Sequence, residues 1–145
     1  MKGSYILLLK LHKPRRIPIG KLGILDFTKG FYAYVGSALN GLEARVSRHF
    51  KLSKKHHWHI DYLLDWADIY ETVLIPSEVR LECTLVRALN EELPCIRGFG
   101  SSDCDCHGHL FYTYSKIKLN TCINNTLTKL GITCYYKRVP ASNCH

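Results

Sequence analysis

Between Gly3 and Gly36 the chain carries three strand-like runs, "GSYILLLKL", "KLGILDF" and "FYAYVG", divided by segments rich in Pro, Gly and Lys. Runs of aromatic and branched apolar residues bounded by turn residues read as strands. None of the intervening segments can hold a helix long enough to cross over a sheet, so successive runs should pair antiparallel. "HKPRRIPIG" reads as a loop with two prolines, and "TKG" as the turn into the third run.

The pattern then changes period. Asn40 followed by Glu43 predicts a capped helix whose core stripe is Leu42, Val46 and Phe50. "IDYLLDWA" predicts a short helix and "IYETVLIP" a strand. Ser77 is expected to cap a helix over "EVRLECTLVRALNEE", which Pro94 ends. "CIRGFGSSDCDCHGH" is irregular, "LFYTY" is a strand, "NTCINNTLTKLG" is a helix with a Gly stop, and "ITCYYKRV" is a closing strand. No repeat or linker interrupts the 145 residues. The expectation is one domain, residues 1–145, of the α/β (α+β) class, with a central, mainly antiparallel sheet and helices packed on it.

"YILLL" is too short to span a bilayer. The N-terminal apolar run is interrupted by Lys10 and lacks a small-residue cleavage site, so it reads as a first strand rather than a leader. An intracellular, cytoplasmic protein with no membrane partner is expected. Lys and Arg total 20 against 12 acidic residues, a formal charge of +8. Such a balance favours a polyanionic partner, the alternative being a merely soluble basic protein.

The turn at Gly36 concentrates chemistry. Tyr34 precedes it by two residues, and the helix after it carries Arg45 and His49 one turn apart, at the edge of its apolar stripe. A hydroxyl, a guanidinium and an imidazole near a helix N-terminus suit a phosphate. The alternative is a packed tyrosine beside a solvated arginine face. Glu82 bears on the choice. On a helical wheel it lies between Val79, Val86 and Leu89, and a carboxylate on an apolar face needs a cation. That cation is either an arginine, Arg45 among them, or a magnesium ion beside a phosphate.

"Gly3-Ser4-Tyr5", "Tyr34-Val35-Gly36", "LEARVSRH" and "LECTLVRAL" together resemble the GIY-YIG nuclease superfamily. "YVGSALNGLEARVSRH", "HHWHIDYLL" and "GFGSSDCDCHGHLFY" are more closely similar to one branch of it, a domain of unknown function sometimes fused to endonuclease III in archaea. The resemblance covers about residues 3–114 and leaves 115–145 as a C-terminal helix–strand extension. It implies a three-stranded antiparallel sheet flanked by helices, and metal-assisted phosphodiester hydrolysis with one Mg2+ or Mn2+. It implies that Tyr34 is the general base, that Tyr5 places the water, that Arg45 neutralises charge on the phosphate, that His49 assists orientation, and that Glu82 holds the metal. The chain departs from the family in three respects, the first being that the family's late asparagine has no match here, Asn90 being a poor one. "KPRRIPIGKLGILDF" is an insertion, with a strand of its own, between the two tyrosine motifs. Ser37 stands where the family often has lysine.

Arg48, Lys51, Lys54 and Lys55 follow on the same segment and are candidates to hold a nucleic-acid backbone, DNA in the first place. Trp58 would either stack on a base or pack in the core. Cys95, Cys104, Cys106 and His109, with His57, His59 and His107 as alternates, form a candidate zinc site. The alternatives for that stretch are a loop of free thiols or a loop touching phosphate. Three functions compete: a repair-type or structure-selective nuclease; a non-catalytic nucleic-acid-binding module that accompanies a repair enzyme; and a zinc-stabilised protein-interaction domain. The charge favours the first two, and the Tyr34, Arg45 and Glu82 set favours the first.

Overall fold

The structure is a computed structural model and describes residues 1–51, 55–101 and 106–139. Its centre is β1 (Gly3–Leu11). The strand β4 (Gly30–Ala38) pairs antiparallel on one side of β1, and β5 (Asp68–Pro76) antiparallel on the other. The strands β6 (Leu110–Thr113) and β7 (Tyr135–Arg138) extend the sheet to the order β6-β4-β1-β5-β7. The fold is thus α+β with an antiparallel sheet. The sheet has five strands rather than three, because β6 and β7 pair with β4 and β5.

Both faces of β1 are covered, which explains its unbroken apolar run. Tyr5, Leu7, Leu9 and Leu11 point into one core with Tyr34, Leu42, Val46, Ile60 and Leu63. These come from β4, α1 (Leu42–His49) and α2 (His59–Leu63). Ile6 and Leu8 point into a second core with α3 (Glu82–Asn90) and α4 (Lys116–Lys129).

The segment "KLGILDF" does not join the main sheet as expected. Its strand β3 (Ile24–Phe27) pairs with β2 (Arg15–Pro18) in a separate two-stranded ribbon. The reason is that β4 and β5 occupy both edges of β1, while Ile17, Ile19 and Phe27 bury the ribbon against the first core.

Two helix starts also differ from expectation. Asn40 does not cap α1. Gly41 holds the N-cap in the left-handed region (φ 63°), and the Leu42 N–H donates to the Met1 carbonyl at 2.8 Å. A distant backbone oxygen does the work of a capping side chain. Phe50, expected in the core stripe, is 40% exposed at the end of α1, and His49 is buried instead at 2%. Ser77 does not cap α3. Its Oγ makes a local turn with the backbone of Val79, which is exposed, and the helix begins only at Glu82. In α4, Ser115 Oγ accepts from the Lys118 N–H, so that helix starts four residues before its expected Asn120. Among the described residues no helix is long and apolar enough to cross a membrane.

Candidate active site

Tyr5 and Tyr34 reach the same face of the sheet from neighbouring strands, with ring centroids 6.4 Å apart. Gly36 lies opposite Tyr5 in the β1–β4 ladder. A side chain at Gly36 would collide with the Tyr5 ring and hydroxyl, so the glycine is what lets Tyr5 lie across the strand. The Tyr5 hydroxyl is 2.7 Å from His49 Nε2. Burial pushes the Tyr5 phenol above its ordinary value, with the Arg45 charge opposing. Tyr5 therefore keeps its hydroxyl proton in this pair.

Tyr34 is buried as well, at 7% exposure against 2% for Tyr5. Gly100, with φ 71°, lays its backbone against the Tyr34 ring, and Phe99 meets the ring edge-on at a centroid distance of 6.2 Å. The Gly100 N–H is held by His59 Nδ1 at 2.8 Å, which leaves the His59 proton on Nε2. Burial raises the Tyr34 phenol well above its ordinary value, Tyr5, Glu82 and Asp61 add to the rise, and Arg45 opposes it. Tyr34 carries its proton at rest.

Arg45 turns its Nη1 to the Ser37 carbonyl at 2.9 Å, and its guanidinium lies over the Trp58 ring, 4.5 Å from the centroid. Glu82, the first residue of α3, has a side chain 19% exposed. Its Oε1 accepts from Ser37 Oγ at 3.4 Å, and its Oε2 is 3.3 Å from His109 Nδ1. The same His109 nitrogen faces the Val35 carbonyl at 3.2 Å. Two acceptors at one nitrogen place a proton on Nδ1. Glu82 thus meets Ser37 and His109 rather than Arg45, and it opens into a cleft.

That cleft, about 260 Å³, is lined by Tyr5, Tyr34, Ser37, Arg45, Trp58, Arg80, Glu82, Gly100 and His109 among others. His49 stands behind Tyr5 as its hydrogen-bond partner. The five residues expected to carry catalysis are therefore brought together. Those expected to hold nucleic acid divide. Lys51 and Lys55 are exposed, and Lys54 lies outside the described residues. Arg48 turns inward and forms two hydrogen bonds to Asp61, at 3.0 and 3.2 Å. Trp58 meets Arg48 as well as Arg45, so its ring is already engaged.

The candidate zinc ligands are dispersed where they are described. Cys95 and Cys106 pack against the second core, His109 faces Glu82, and Cys104 lies outside the described residues. Among the alternates, His59 holds Gly100, while His57 and His107 are exposed. Among the described residues no three His, Cys, Asp or Glu side chains gather closely enough to enclose a metal ion. A single carboxylate opening into a polar cleft does fit a magnesium or manganese ion, which takes few protein ligands and shares the rest with water and phosphate.

Sequence reasoning missed Ser37, Asp61, Arg80 and Gly100, and it assigned His109 to zinc. Asp61 carried a readable signal. It interrupts the apolar pattern of "HIDYLL" as Glu82 interrupts its own. Ser37 carried none, because its carbonyl meets Arg45 and its hydroxyl meets Glu82 only once the chain is folded.

Fold and cleft together define an α+β domain with a polar, tyrosine-floored cleft at the strand–helix turn of β4 and α1. The chain belongs to the family described as Domain of unknown function DUF123, whose model matches residues 4–132. The match runs past residue 114, the expected end of the resemblance, and through α4. No curated protein and no solved structure matches the chain.

Proposed function

We propose that this protein is a metal-dependent nuclease of the GIY-YIG type that hydrolyses phosphodiester bonds in nucleic acid, with DNA the favoured substrate. One observation carries the reading: Tyr5, Tyr34, Arg45 and Glu82, far apart in sequence, line a single cleft. The formal charge of +8 and the exposed Lys51 and Lys55 beyond α1 suit a polyanion.

In this reading Arg45 faces the scissile phosphate, and its charge counts most as negative charge develops. It is held for that task by the Ser37 carbonyl and the Trp58 ring. Glu82 would hold magnesium or manganese, which when bound would supply Lewis-acid stabilisation of the phosphate and the leaving oxygen. Tyr5, its hydroxyl fixed by His49, orients the attacking water. Tyr34 receives the water's proton. Because burial keeps Tyr34 protonated at rest, its phenolate is a minority form, and Arg45 is the neighbour that favours it. The test is cleavage of branched, nicked and single-stranded DNA and RNA with and without Mg2+ or Mn2+, beside the Glu82→Gln variant.

A second reading has its own support. The near-complete cover of Tyr34 by Gly100 and Phe99 suits a scaffold that binds nucleic acid without cutting it, in company with a repair enzyme. Nucleic-acid binding with no cleavage under any divalent ion would select it.

A further inference from the structure

Asp61 is fully buried, with no exposure, yet it is a carboxylate and lies outside the cleft's lining. Buried carboxylates need partners, and Asp61 has four hydrogen bonds. Its Oδ1 accepts from Arg48 Nη1 at 3.0 Å. Its Oδ2 accepts from Arg48 Nη2 at 3.2 Å and from the backbone N–H groups of His57 and Trp58 at 2.7 and 2.9 Å. A further bond runs from Arg48 Nη2 to the Lys55 carbonyl at 3.0 Å. The backbone around residues 55–58 is thereby pinned to α1 through one arginine.

The consequence is felt at Trp58. With its backbone N–H fixed, its indole meets Arg48 at 4.4 Å and Arg45 at 4.5 Å from the ring centroid. Guanidiniums at such distances are held by the ring's electron-rich face. Arg45 is also held by the Ser37 carbonyl. Two restraints from different elements fix the direction of a long side chain that would otherwise sample many rotamers.

The geometry points to Trp58 as a positioning residue for Arg45, with Asp61 and Arg48 as the clamp that sets Trp58 in place. The inference rests on the nuclease reading for its catalytic consequence. It gives the "HHWHID" segment a function other than stacking on a base: the segment aims the cleft's arginine from outside the strand–helix turn that carries it. Arg48 serves the same end from within the fold rather than by gripping a nucleic-acid backbone.

The test is a double-mutant cycle in the full chain, comparing Trp58→Leu, Arg45→Ala and the pair. Single-turnover cleavage and affinity for the same DNA are measured on each, beside the Arg45 Nε–Hε signal in the NMR spectrum. Loss of the ring should slow cleavage by roughly tenfold, with affinity unchanged within about twofold. In the Arg45→Ala background, Trp58→Leu should cost nothing further, because a residue acting through another has no effect once that other is gone. The Arg45 Hε signal should move downfield on losing the ring's shielding. Equal slowing by Trp58→Leu with and without Arg45 would overturn the proposal, as would loss of affinity alone. Should Trp58→Leu fail to fold, Trp58→Phe, which keeps a weaker ring, takes its place with a slowing of about threefold. Should the wild-type protein cut no substrate, the nuclease reading falls by itself. The Arg45 signal then decides the positioning claim: movement supports it and no movement overturns it.

Discussion

Tyr5 stands opposite Gly36 across the β1–β4 ladder, and its ring lies where any side chain at position 36 would be. The hydroxyl at the end of that ring meets His49 at 2.7 Å. One backbone position therefore governs how both groups sit beneath the cleft. Tyr5 is only 2% exposed and packed by its neighbours, so its ring cannot swing away. Gly36→Ala should destabilise the fold by about 2–3 kcal/mol, as overpacking of a filled core does. Thermal unfolding followed by circular dichroism would measure it.

The Arg48–Asp61 pair gives a second expectation. Burial pushes the Asp61 carboxyl up, but Arg48 and the Trp58 and His57 N–H groups outweigh it and hold it below its ordinary value of 3.8. A carboxylate depressed in the folded state adds stability above its unfolded value, and that stability is lost as pH falls through the folded one. Asp61→Asn should remove this acid-side loss. It should also cost about 3–5 kcal/mol at neutral pH by stranding Arg48. Urea unfolding at neutral and acid pH would show both effects.

His59 acts with the opposite charge. Burial lowers its imidazole below 6.5, and its Nδ1 accepts from Gly100, so the folded protein holds it neutral. The unfolded chain takes up the proton first as pH falls. His59 therefore makes stability decline as pH drops below about 6.5. His59→Asn keeps an acceptor near Nδ1 and removes the proton site. Its stability curve should be flatter than the wild type's between pH 7 and 5, by about one proton at most.

In the proposed nuclease reading, Tyr34 sets the pH dependence of cleavage. Its phenol lies well above its ordinary value, so the phenolate fraction grows with pH throughout the usable range. The single-turnover rate should climb up to about tenfold per pH unit from neutral pH to about pH 9, without a plateau. Tyr34→Phe should abolish the climb with little change in binding. A wild-type plateau near neutral pH would assign the proton acceptor elsewhere.

How much of this was legible in the sequence depends on how local each cause is. The apolar run of β1 announced its burial, and Tyr34, Arg45 and His49 declared themselves by spacing around one turn. Glu82 stood out as a carboxylate among apolar residues. What failed was set by distant partners. The α1 cap is a bond to the Met1 carbonyl, which no local pattern encodes. The helix of Glu82 starts late because Ser77 and Val79 close a turn of their own. That Glu82 meets His109 and Ser37, and that Arg48 meets Asp61, follows from strand order and loop path. The sheet's width was hidden for the same reason, since β6 and β7 are short runs whose partners lie far back in the chain.

The central claim is that Glu82, beside Tyr34 and Arg45, makes the cleft a metal-dependent nuclease site. The most direct measurement is cleavage of end-labelled branched, nicked and single-stranded DNA by the wild type and by Glu82→Gln, each with Mg2+, with Mn2+ and with chelator. Circular dichroism and fluorescence anisotropy run in parallel to confirm folding and binding. The account predicts that the wild type cuts only with a divalent ion, and that Glu82→Gln folds and binds normally but loses cleavage by about a hundredfold or more. A Glu82→Gln protein that cuts as fast as the wild type, or a wild type that binds DNA and cuts none of it, would contradict the account.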